Sequence, residues 1–396
     1  MTKINKTFIE IISKIQPEKL TGIEITNIIN KVLSIKNKTD KDIDCFMSKF
    51  KNLNINNQNL IPYIISNNNT FNFNLSSNQI MSIIEKSNLN TQYYNGWTLP
   101  MILFTCNKTQ KLNLSTNQII SILEKSDMSI QGLNGWTAPM TLLLNNKSQN
   151  LNLSLEQIMS VLEKSNLFTQ DNYGWSLLMT ILLYNKTQNL NLSPNQIMAV
   201  LEKSDLLIQS NNGLTLPILL LLNNKTQNLN LSPEQIMSVL EKSDVSTQDK
   251  NSWTLPMFLL LNNKEQNLNL SPEQIMSVLE KSNLNLQNYN KETLPTQILS
   301  NNKTQNLNLS LEQIISIIEK SNLSLLNNDT LKLFFNELEN NFNVSNKKLY
   351  KIVKLFNTNI KRISPKNKEK IKKILFYFDI EENIQKKHKK ENTIKL

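Results

Sequence analysis

Two stretches of the chain spell almost the same sixteen letters. Residues 229–244 read LNLSPEQIMSVLEKSD, and residues 268–283 read LNLSPEQIMSVLEKSN, 39 positions further on. The glutamate of this stretch recurs at the same spacing, at Glu85, Glu124, Glu163, Glu202, Glu241, Glu280 and Glu319. A fixed period between about 20 and 50 residues is typical of proteins built from stacked repeats.

The quoted stretch predicts a capped helix. Ser232 precedes Pro233, and Gln235 follows, which is the S-x-x-Q frame of a capping box with proline at the first helical position. Ile236 and the apolar residues after it then follow at helical spacing. The same frame occurs in all seven copies, at Ser76/Gln79, Ser115/Gln118, Ser154/Gln157, Ser193/Gln196, Ser232/Gln235, Ser271/Gln274 and Ser310/Gln313.

The other half of each unit predicts a turn and a short buried helix. In NGWTLPMILFTCN at 95–107, Gly96 suits a positive φ, Thr98 is placed to cap, and Pro100 falls in the first turn. The run after Pro100 is apolar on every side, as expected of a helix inside a stack. Between the two helices, Leu229 and Leu231 alternate with Asn230, which we interpret as an extended loop with its leucines turned inward.

A single unit has too few apolar residues to offset the entropy of ordering it, so its stability must come from docking on its neighbours. We therefore expect an all-α fold, a helical-repeat solenoid of about seven 39-residue units with helical caps. The expected segments are an N-terminal helical cap, the repeat array, a C-terminal helical cap, and a basic amphipathic helix with a disordered QKKHKKENTIKL end; they span 1–54, 55–327, 328–363 and 364–396.

The unit resembles a divergent ankyrin repeat over residues 57–327. NGWTLPMILF resembles the opening of the ankyrin repeat, with Gly96, Thr98 and Pro100 in the corresponding places, and EQIMSVLEKSD resembles its second helix. The period is longer than the ankyrin period of about 33, and methionine replaces the histidine of the first helix. The resemblance implies an intracellular scaffold that grips protein partners with its turn tips. HEAT-type helix pairs are the alternative, with longer helices and no GWT turn.

The composition argues against chemistry. The chain has one histidine, His388, and no glycine motif of the phosphate-binding kind. Its two cysteines, Cys45 and Cys106, are too few for a disulfide framework or a four-cysteine zinc site, and we interpret them as inert buried thiols. We therefore expect no enzyme activity, cofactor, metal or small-molecule substrate. The richness in asparagine is given little weight, because an AT-rich genome produces the same bias.

The letters that vary between the repeats suggest where a partner binds. They stand just before each GW position, where ankyrin-like tips line up along one edge. The predicted contact residues, which include the tyrosines favoured at interfaces, are Tyr93, Tyr94, Leu133, Tyr173, Lys250 and Tyr289. Freely varying turn tips are the alternative explanation. Trp97, Trp136, Trp175 and Trp253 are interpreted as packing between units rather than as platforms for nucleic-acid bases.

The basic charge is concentrated in one segment. Residues 345–396 hold 16 Lys/Arg and 5 Asp/Glu, a net charge of +11, while the remaining residues hold 27 of each sign. This segment could bind anionic lipid through KIKKILFYF, bind nucleic acid, serve as an export signal by analogy with bacterial ankyrin-like effectors, or have no function. The candidate residues are Lys366, Lys370, Lys372, Lys373, Lys386, Lys387, Lys389 and Lys390.

The expected function is a monomeric, non-catalytic protein-interaction scaffold in the cytoplasm, with export into a host cell as a variant of that location. The alternative is a membrane- or nucleic-acid-associated protein attached through its basic C-terminal segment. The sequence does not identify the protein partner.

Overall fold

The fold is described from a computed structural model of the chain. The described residues are 6–17, 21–50, 53–55, 58–93, 96–326, 328–341, 347–359 and 363–393. They belong to two compact units, residues 1–211 and 212–396, and each unit is described by itself.

The first unit contains eleven helices and one very short hairpin among its described residues. Strands β1 (Asn54–Ile55) and β2 (Gln58–Asn59) are antiparallel, with Ile55 opposite Gln58. The helices are α1 (Lys6–Lys14), α2 (Gly22–Leu33), α3 (Asp40–Phe50), α4 (Leu60–Asn67), α5 (Ser77–Glu85), α6 (Leu99–Cys106), α7 (Thr116–Glu124), α8 (Ala138–Leu144), α9 (Leu155–Lys164), α10 (Leu177–Tyr184) and α11 (Pro194–Leu201).

The second unit contains nine helices among its described residues. They are α12 (Leu216–Asn223), α13 (Pro233–Leu240), α14 (Leu255–Asn262), α15 (Pro272–Glu280), α16 (Leu294–Asn301), α17 (Leu311–Lys320), α18 (Asn328–Asn341), α19 (Lys347–Asn359) and α20 (Pro365–Thr393). A single 3-10 turn, Leu323–Leu325, follows α17.

Each repeat consists of an inner helix and an outer helix. The inner helices contact the next inner helix along the chain: α4, α6, α8 and α10 do so in the first unit, and α12, α14 and α16 in the second. They begin at intervals of 39 residues, from Leu60 to Leu294. In α6, Leu99, Met101, Leu103 and Phe104 are completely buried, as predicted for a short buried helix, but Ile102 and Thr105 are only partly buried, so the helix is not enclosed on every side. The helical-repeat solenoid predicted from the period is confirmed.

The outer helices begin as the sequence predicts. In α13 the Ser232 hydroxyl accepts from the Gln235 backbone N–H at 3.2 Å, and the Ser232 N–H donates to the Gln235 side chain at 3.0 Å. The same reciprocal pair occurs in all seven outer helices. The inner helices are less regular: Thr98 stands at the cap position without a side-chain cap bond, whereas Thr137 accepts from the Met140 N–H at 3.4 Å.

The loop between the two helices is compact rather than extended. Its two leucines are buried, as predicted, with Leu229 at 0% and Leu231 at 3% exposure. The residues that alternate with them adopt left-handed φ, 53° at Asn228 and 49° at Asn230, so the expectation of extended backbone is wrong. Asparagine tolerates this conformation better than most residues. The same conformation occurs at Asn72, Asn74, Lys111, Asn113, Asn150, Asn152, Asn189, Asn191, Asn267, Asn269, Asn306 and Asn308.

A buried asparagine follows each inner helix and joins it to two other parts of the structure. Asn146 accepts from the Leu153 N–H at 2.9 Å and donates to the Gln188 carbonyl of the next repeat at 3.1 Å. Gln188 returns the contact by accepting from the Lys147 N–H at 3.2 Å. The buried asparagines at this position are Asn68, Asn107, Asn146, Asn185, Asn224, Asn263 and Asn302. Within each unit, side-chain amides thus link consecutive repeats.

The end segments extend the helix pairs of their own units. Helix α3 contacts α5 and begins with a Thr39/Asp42 box like those of the outer helices. Helix α18 contacts α16, and α19 contacts α17, so these two continue the inner and outer rows of the second unit. Helix α20 runs to Thr393, so the expectation of disorder after residue 384 is wrong for 385–393. The predicted segment boundaries stay predictions.

Candidate functional site

The turn before each inner helix is closed by its own backbone. In the turn at 131–136, the Gly132 N–H donates to the Trp136 carbonyl at 2.9 Å, and the Gly135 N–H donates to the Gly132 carbonyl at 2.8 Å. Gly135 has a φ of 79°, as the glycine in this register was predicted to need. We call these turns the tips. They comprise residues 92–93, 96–97, 131–136, 170–175 and 209–211 in the first unit, and 248–253 and 287–292 in the second.

Neighbouring tips are hydrogen-bonded to each other. In the first unit, the Asn172 N–H donates to the Asn134 carbonyl at 3.0 Å, and the Asn211 N–H donates to the Tyr173 carbonyl at 2.8 Å. In the second unit, the Tyr289 N–H donates to the Asn251 carbonyl at 2.9 Å. The tips within each unit therefore form a backbone-linked edge instead of separate mobile loops.

A ladder of glutamine side chains reinforces this edge. The Gln131 amide donates to the Gly135 carbonyl of its own tip at 2.7 Å and to the Gln170 carbonyl of the next at 2.9 Å. Gln92 and Gln170 do the same in the first unit, while Gln248 closes its own tip in the second. These glutamine side chains therefore have a defined structural role, which is to close the tips and, in the first unit, to link them.

Most of the predicted contact residues lie on the surface of the tips. Leu133, Tyr173 and Tyr289 are 71%, 65% and 83% exposed, and Lys250 is also exposed. Tyr93 is half-buried, and its burial raises the pKa of its hydroxyl. The remaining predicted residue, Tyr94, lies outside the described residues.

The acidic side chains of the tips are used for the turn itself. Asp171 accepts from the Tyr173 and Trp175 N–H groups, both at 2.8 Å, and also from the Trp136 indole of the preceding tip at 3.0 Å. Asp249 accepts from the Trp253 N–H at 2.8 Å. These carboxylates shape the backbone rather than project toward a ligand.

The tryptophans lie beside the tips and are half-buried. The Trp97 and Trp136 rings of adjacent repeats stack with centroids 6.5 Å apart, which agrees with packing between units. Trp253 lies 5.8 Å from the Phe258 ring of its own inner helix α14. The four indoles are only half-buried, so they belong to the flank of the tip edge and not to the core.

Two exposed apolar residues were missed by the sequence analysis. Phe168 and Leu207 stand 39 residues apart, in the turns after outer helices α9 and α11, and are 48% and 61% exposed. The equivalent residues of other repeats are polar, such as Ser129 and Ser246. This contrast between repeats is a sequence signal that lies outside the letters next to GW.

The two cysteine thiols differ in their burial. The Cys106 thiol is buried against the Ile102 carbonyl, and burial raises its pKa to about 12, so it is a poor nucleophile. Cys45 is only partly buried, so the expectation of two buried thiols is wrong for it. Within the described ranges, no group of His, Cys, Asp and Glu side chains could hold a metal ion. No described helix is both long and apolar enough to cross a bilayer.

The predicted basic residues all lie on α20. Lys366, Lys372 and Lys373 are exposed and Lys370 is half-buried. The backbone of Lys386, Lys387, Lys389 and Lys390 continues the helix, while their side chains lie outside the described part of the chain.

Comparison with known proteins gives distant structural similarity only. No protein-family model matches the chain, and no curated protein matches it. A solved ankyrin repeat domain, that of Bcl-3 of the IkappaB family, is 10% identical, covers 65% of this chain and 97% of its own, and has a TM-score of 0.37. The ankyrin repeat protein EF0377 is 14% identical, covers 52% and 92%, and has a TM-score of 0.34.

A third match comes from the complex of a predatory endopeptidase of Bdellovibrio bacteriovorus with its immunity protein. The matched chain is 16% identical, covers 54% of this chain and 96% of its own, and has a TM-score of 0.35. Two of these three structures are ankyrin repeat proteins, the family that the repeat unit resembles in sequence. The assignment to helical repeats rests on the chain itself, whose inner helices have seven or eight residues and follow a tight turn.

Proposed function

We propose that the protein is a non-catalytic scaffold that binds a protein partner through its tips. The observation that carries this proposal is the exposure of Leu133, Tyr173 and Tyr289 on tips that hydrogen bonds hold in place. Large side chains on a fixed backbone lose little entropy on binding, and tyrosine is enriched among the residues that dominate interface energies.

The adjoining apolar residues give the proposed surface more area in the first unit. Phe168 and Leu207 are exposed in turns that lead toward the tips. Exposed apolar side chains in one region indicate a contact surface when they lie close together, whereas isolated ones need no explanation. Residues 1–344 carry 27 charges of each sign, so steering by net charge is not part of this proposal.

The test compares the wild type with a variant in which tip residues are replaced and with a control variant. Full-length protein and the variant Leu133→Ser/Tyr173→Ser/Tyr289→Ser are used to capture partners from extracts of the producing cell, with quantitative mass spectrometry. The control, Phe71→Ser/Tyr184→Ser, changes two exposed aromatic residues away from the tips. We expect the captured amount of one protein to be at least about tenfold lower with the tip variant than with the wild type, and unchanged with the control.

Binding is then measured with the purified partner by calorimetry. A tip variant that binds as tightly as the wild type, with unchanged helicity, contradicts the proposal. Equal losses in the tip variant and in the control would show a general effect of exposed aromatic residues and would also contradict it.

The location and assembly of the protein remain predictions of this proposal. We expect a monomer in the cytoplasm, with export into a host cell as the alternative location. Light scattering coupled to size-exclusion chromatography tests the monomer, and cell fractionation tests the location.

A further inference from the structure

Helix α20 packs on the second unit with one of its faces. Ile371 is 1% exposed and Phe378 is 7% exposed, and the Phe378 ring lies 5.4 Å from the ring of Tyr350 on α19. The Tyr350 hydroxyl also points toward Asp379, at 3.5 Å. These contacts fix the rotation of the described part of α20 about its own axis.

The opposite face of α20 leaves large apolar side chains in solvent. Phe376 is 62% exposed, Tyr377 is 44% exposed and Ile380 is 40% exposed. Residues at i and i+4 of a helix lie on the same side, one turn apart, so Phe376 and Ile380 form one stripe with Tyr377 beside it. We call these three residues the outer stripe.

Exposed lysines adjoin the outer stripe. Lys372 and Lys373 lie one turn before Phe376 and Tyr377, and Lys366 is nearly two turns further back on the same side. Residues 365–380 carry five lysines and two acidic residues, and one of the latter, the exposed Glu369, lies on the same side one turn before Lys373. It belongs to the segment 345–396, whose net charge of +11 equals that of the whole chain.

We propose that the outer stripe and its lysines dock on an anionic lipid surface, with α20 lying in the plane of the headgroups. An exposed row of aromatic and aliphatic residues flanked by lysines is the composition of a helix that binds membrane interfaces. The aromatic rings enter the headgroup region, and the ammonium groups pair with lipid phosphates and carboxylates.

A lipid surface fits these residues better than nucleic acid does. The chain contains a single arginine, Arg362, although arginine is the residue best suited to bidentate contacts with phosphate and bases. Ile380 has no ring on which a base could stack, whereas it can be buried among lipid chains. Three partly exposed side chains bury only a small area in the membrane, so the binding is reversible. Because the lysines contribute through their charge, the affinity falls as the ionic strength rises.

The experiment measures co-flotation of the full-length protein with vesicles. One set contains phosphatidylcholine alone, and the other contains equal parts of phosphatidylcholine and phosphatidylserine. We expect binding to the second set only, with loss at high salt. A single-stranded oligonucleotide is tested in parallel by fluorescence anisotropy.

Two variants separate charge from insertion, each with its own control. Lys372→Gln/Lys373→Gln is expected to lower partition about 30-fold at low salt, since two surface-bound basic residues are lost. Lys242→Gln/Lys281→Gln makes the same change of charge at exposed positions of the repeats and is expected to bind normally. Phe376→Ser/Ile380→Ser is expected to lose binding, with circular dichroism used to check that the variant keeps the helicity of the wild type.

Three results would overturn the proposal. The first is absence of binding to phosphatidylserine vesicles, and the second is an equal loss with the repeat lysine control. The third is oligonucleotide binding at least as strong as vesicle binding, which would assign the surface to nucleic acid. The variant Leu133→Ser/Tyr173→Ser/Tyr289→Ser is expected to float like the wild type, so this proposal can fail or stand independently of the tip surface.

Discussion

At the scale of single residues, asparagine does two kinds of work in this chain. At positions such as Asn228 and Asn230 it permits left-handed backbone, and at positions such as Asn146 its buried amide bonds two repeats together. The capping residues could be predicted because their spacing follows helix geometry, and the inward leucines because they alternate with polar residues. The asparagines could not, because neither a positive φ nor a partner 42 residues away leaves a distinctive local pattern.

Replacing Ser252 by glycine should stabilise the protein. Ser252 has a φ of 61° at the register where Gly135 and Gly174 stand in other repeats. A left-handed conformation costs an L-residue about 1–2 kcal/mol. Glycine avoids this cost, but it loses more backbone entropy on folding, which offsets part of the gain. We expect a gain of about 0.5–1 kcal/mol in the free energy of unfolding, measured with urea.

The opposite substitution and a control complete this test. Gly174→Ala should destabilise, because the new Cβ would lie 2.6 Å from the Asn211 backbone nitrogen at a φ of 76°. Ser148→Gly, at an exposed turn residue outside the left-handed set, should give no gain. A loss of stability in Ser252→Gly would contradict the conformational assignment.

The two cysteines should differ in reactivity. Burial raises the pKa of Cys106 to about 12, so its thiolate is scarce at neutral pH, whereas Cys45 is only partly buried. Iodoacetamide at pH 8 should label Cys45 in the native protein and both cysteines in urea, as read by peptide mass spectrometry. Because the shift is upward, raising the pH toward 12 should increase labelling of Cys106. Native labelling of Cys106 at pH 8 would contradict the burial of its thiol.

At the scale of the helices and loops, each repeat combines predictable and unpredictable elements. The outer helices could be predicted with their first residues, because a Ser/Gln box marks each one. The compact loop was wrongly expected to be extended, because alternating leucines suggest a strand whether or not the residues between them have positive φ. Exposed positions of the candidate site could be predicted from turn chemistry, but the bonds between tips are contacts between distant residues.

The buried asparagine should matter more than its neighbour in sequence. Asn146→Ala leaves the buried Leu153 N–H without an acceptor and removes the bond to the Gln188 carbonyl. We expect a loss of about 3 kcal/mol in urea unfolding, since a buried unpaired donor costs about 1–3 kcal/mol by itself. Asn145→Ala is the control, because Asn145 is half-buried and donates within its own helix, to the Thr141 carbonyl at 2.8 Å. Similar losses in both variants would contradict the role assigned to the buried asparagines.

At the scale of the whole molecule, the 39-residue period determines the architecture. The basic charge is concentrated in the C-terminal segment, so lipid binding is proposed for α20 and partner binding for the tips of the repeats. The period could be read directly, since identical letters 39 residues apart require units that dock on near-identical units. The packing of α20 against α19 could not be predicted, because an amphipathic helix in isolation gives no indication of which protein surface it meets. The structure shows which α20 side chains are available on the surface: Phe378 is buried, while Phe376 is exposed.

The central claim is that a repeat is stable only with its neighbours. A peptide of residues 252–290, one period of the second unit, tests it by circular dichroism during thermal and urea unfolding. The account predicts little helix and no cooperative transition in the peptide, against a cooperative transition in the full chain. A helical peptide that unfolds cooperatively by itself would contradict the claim.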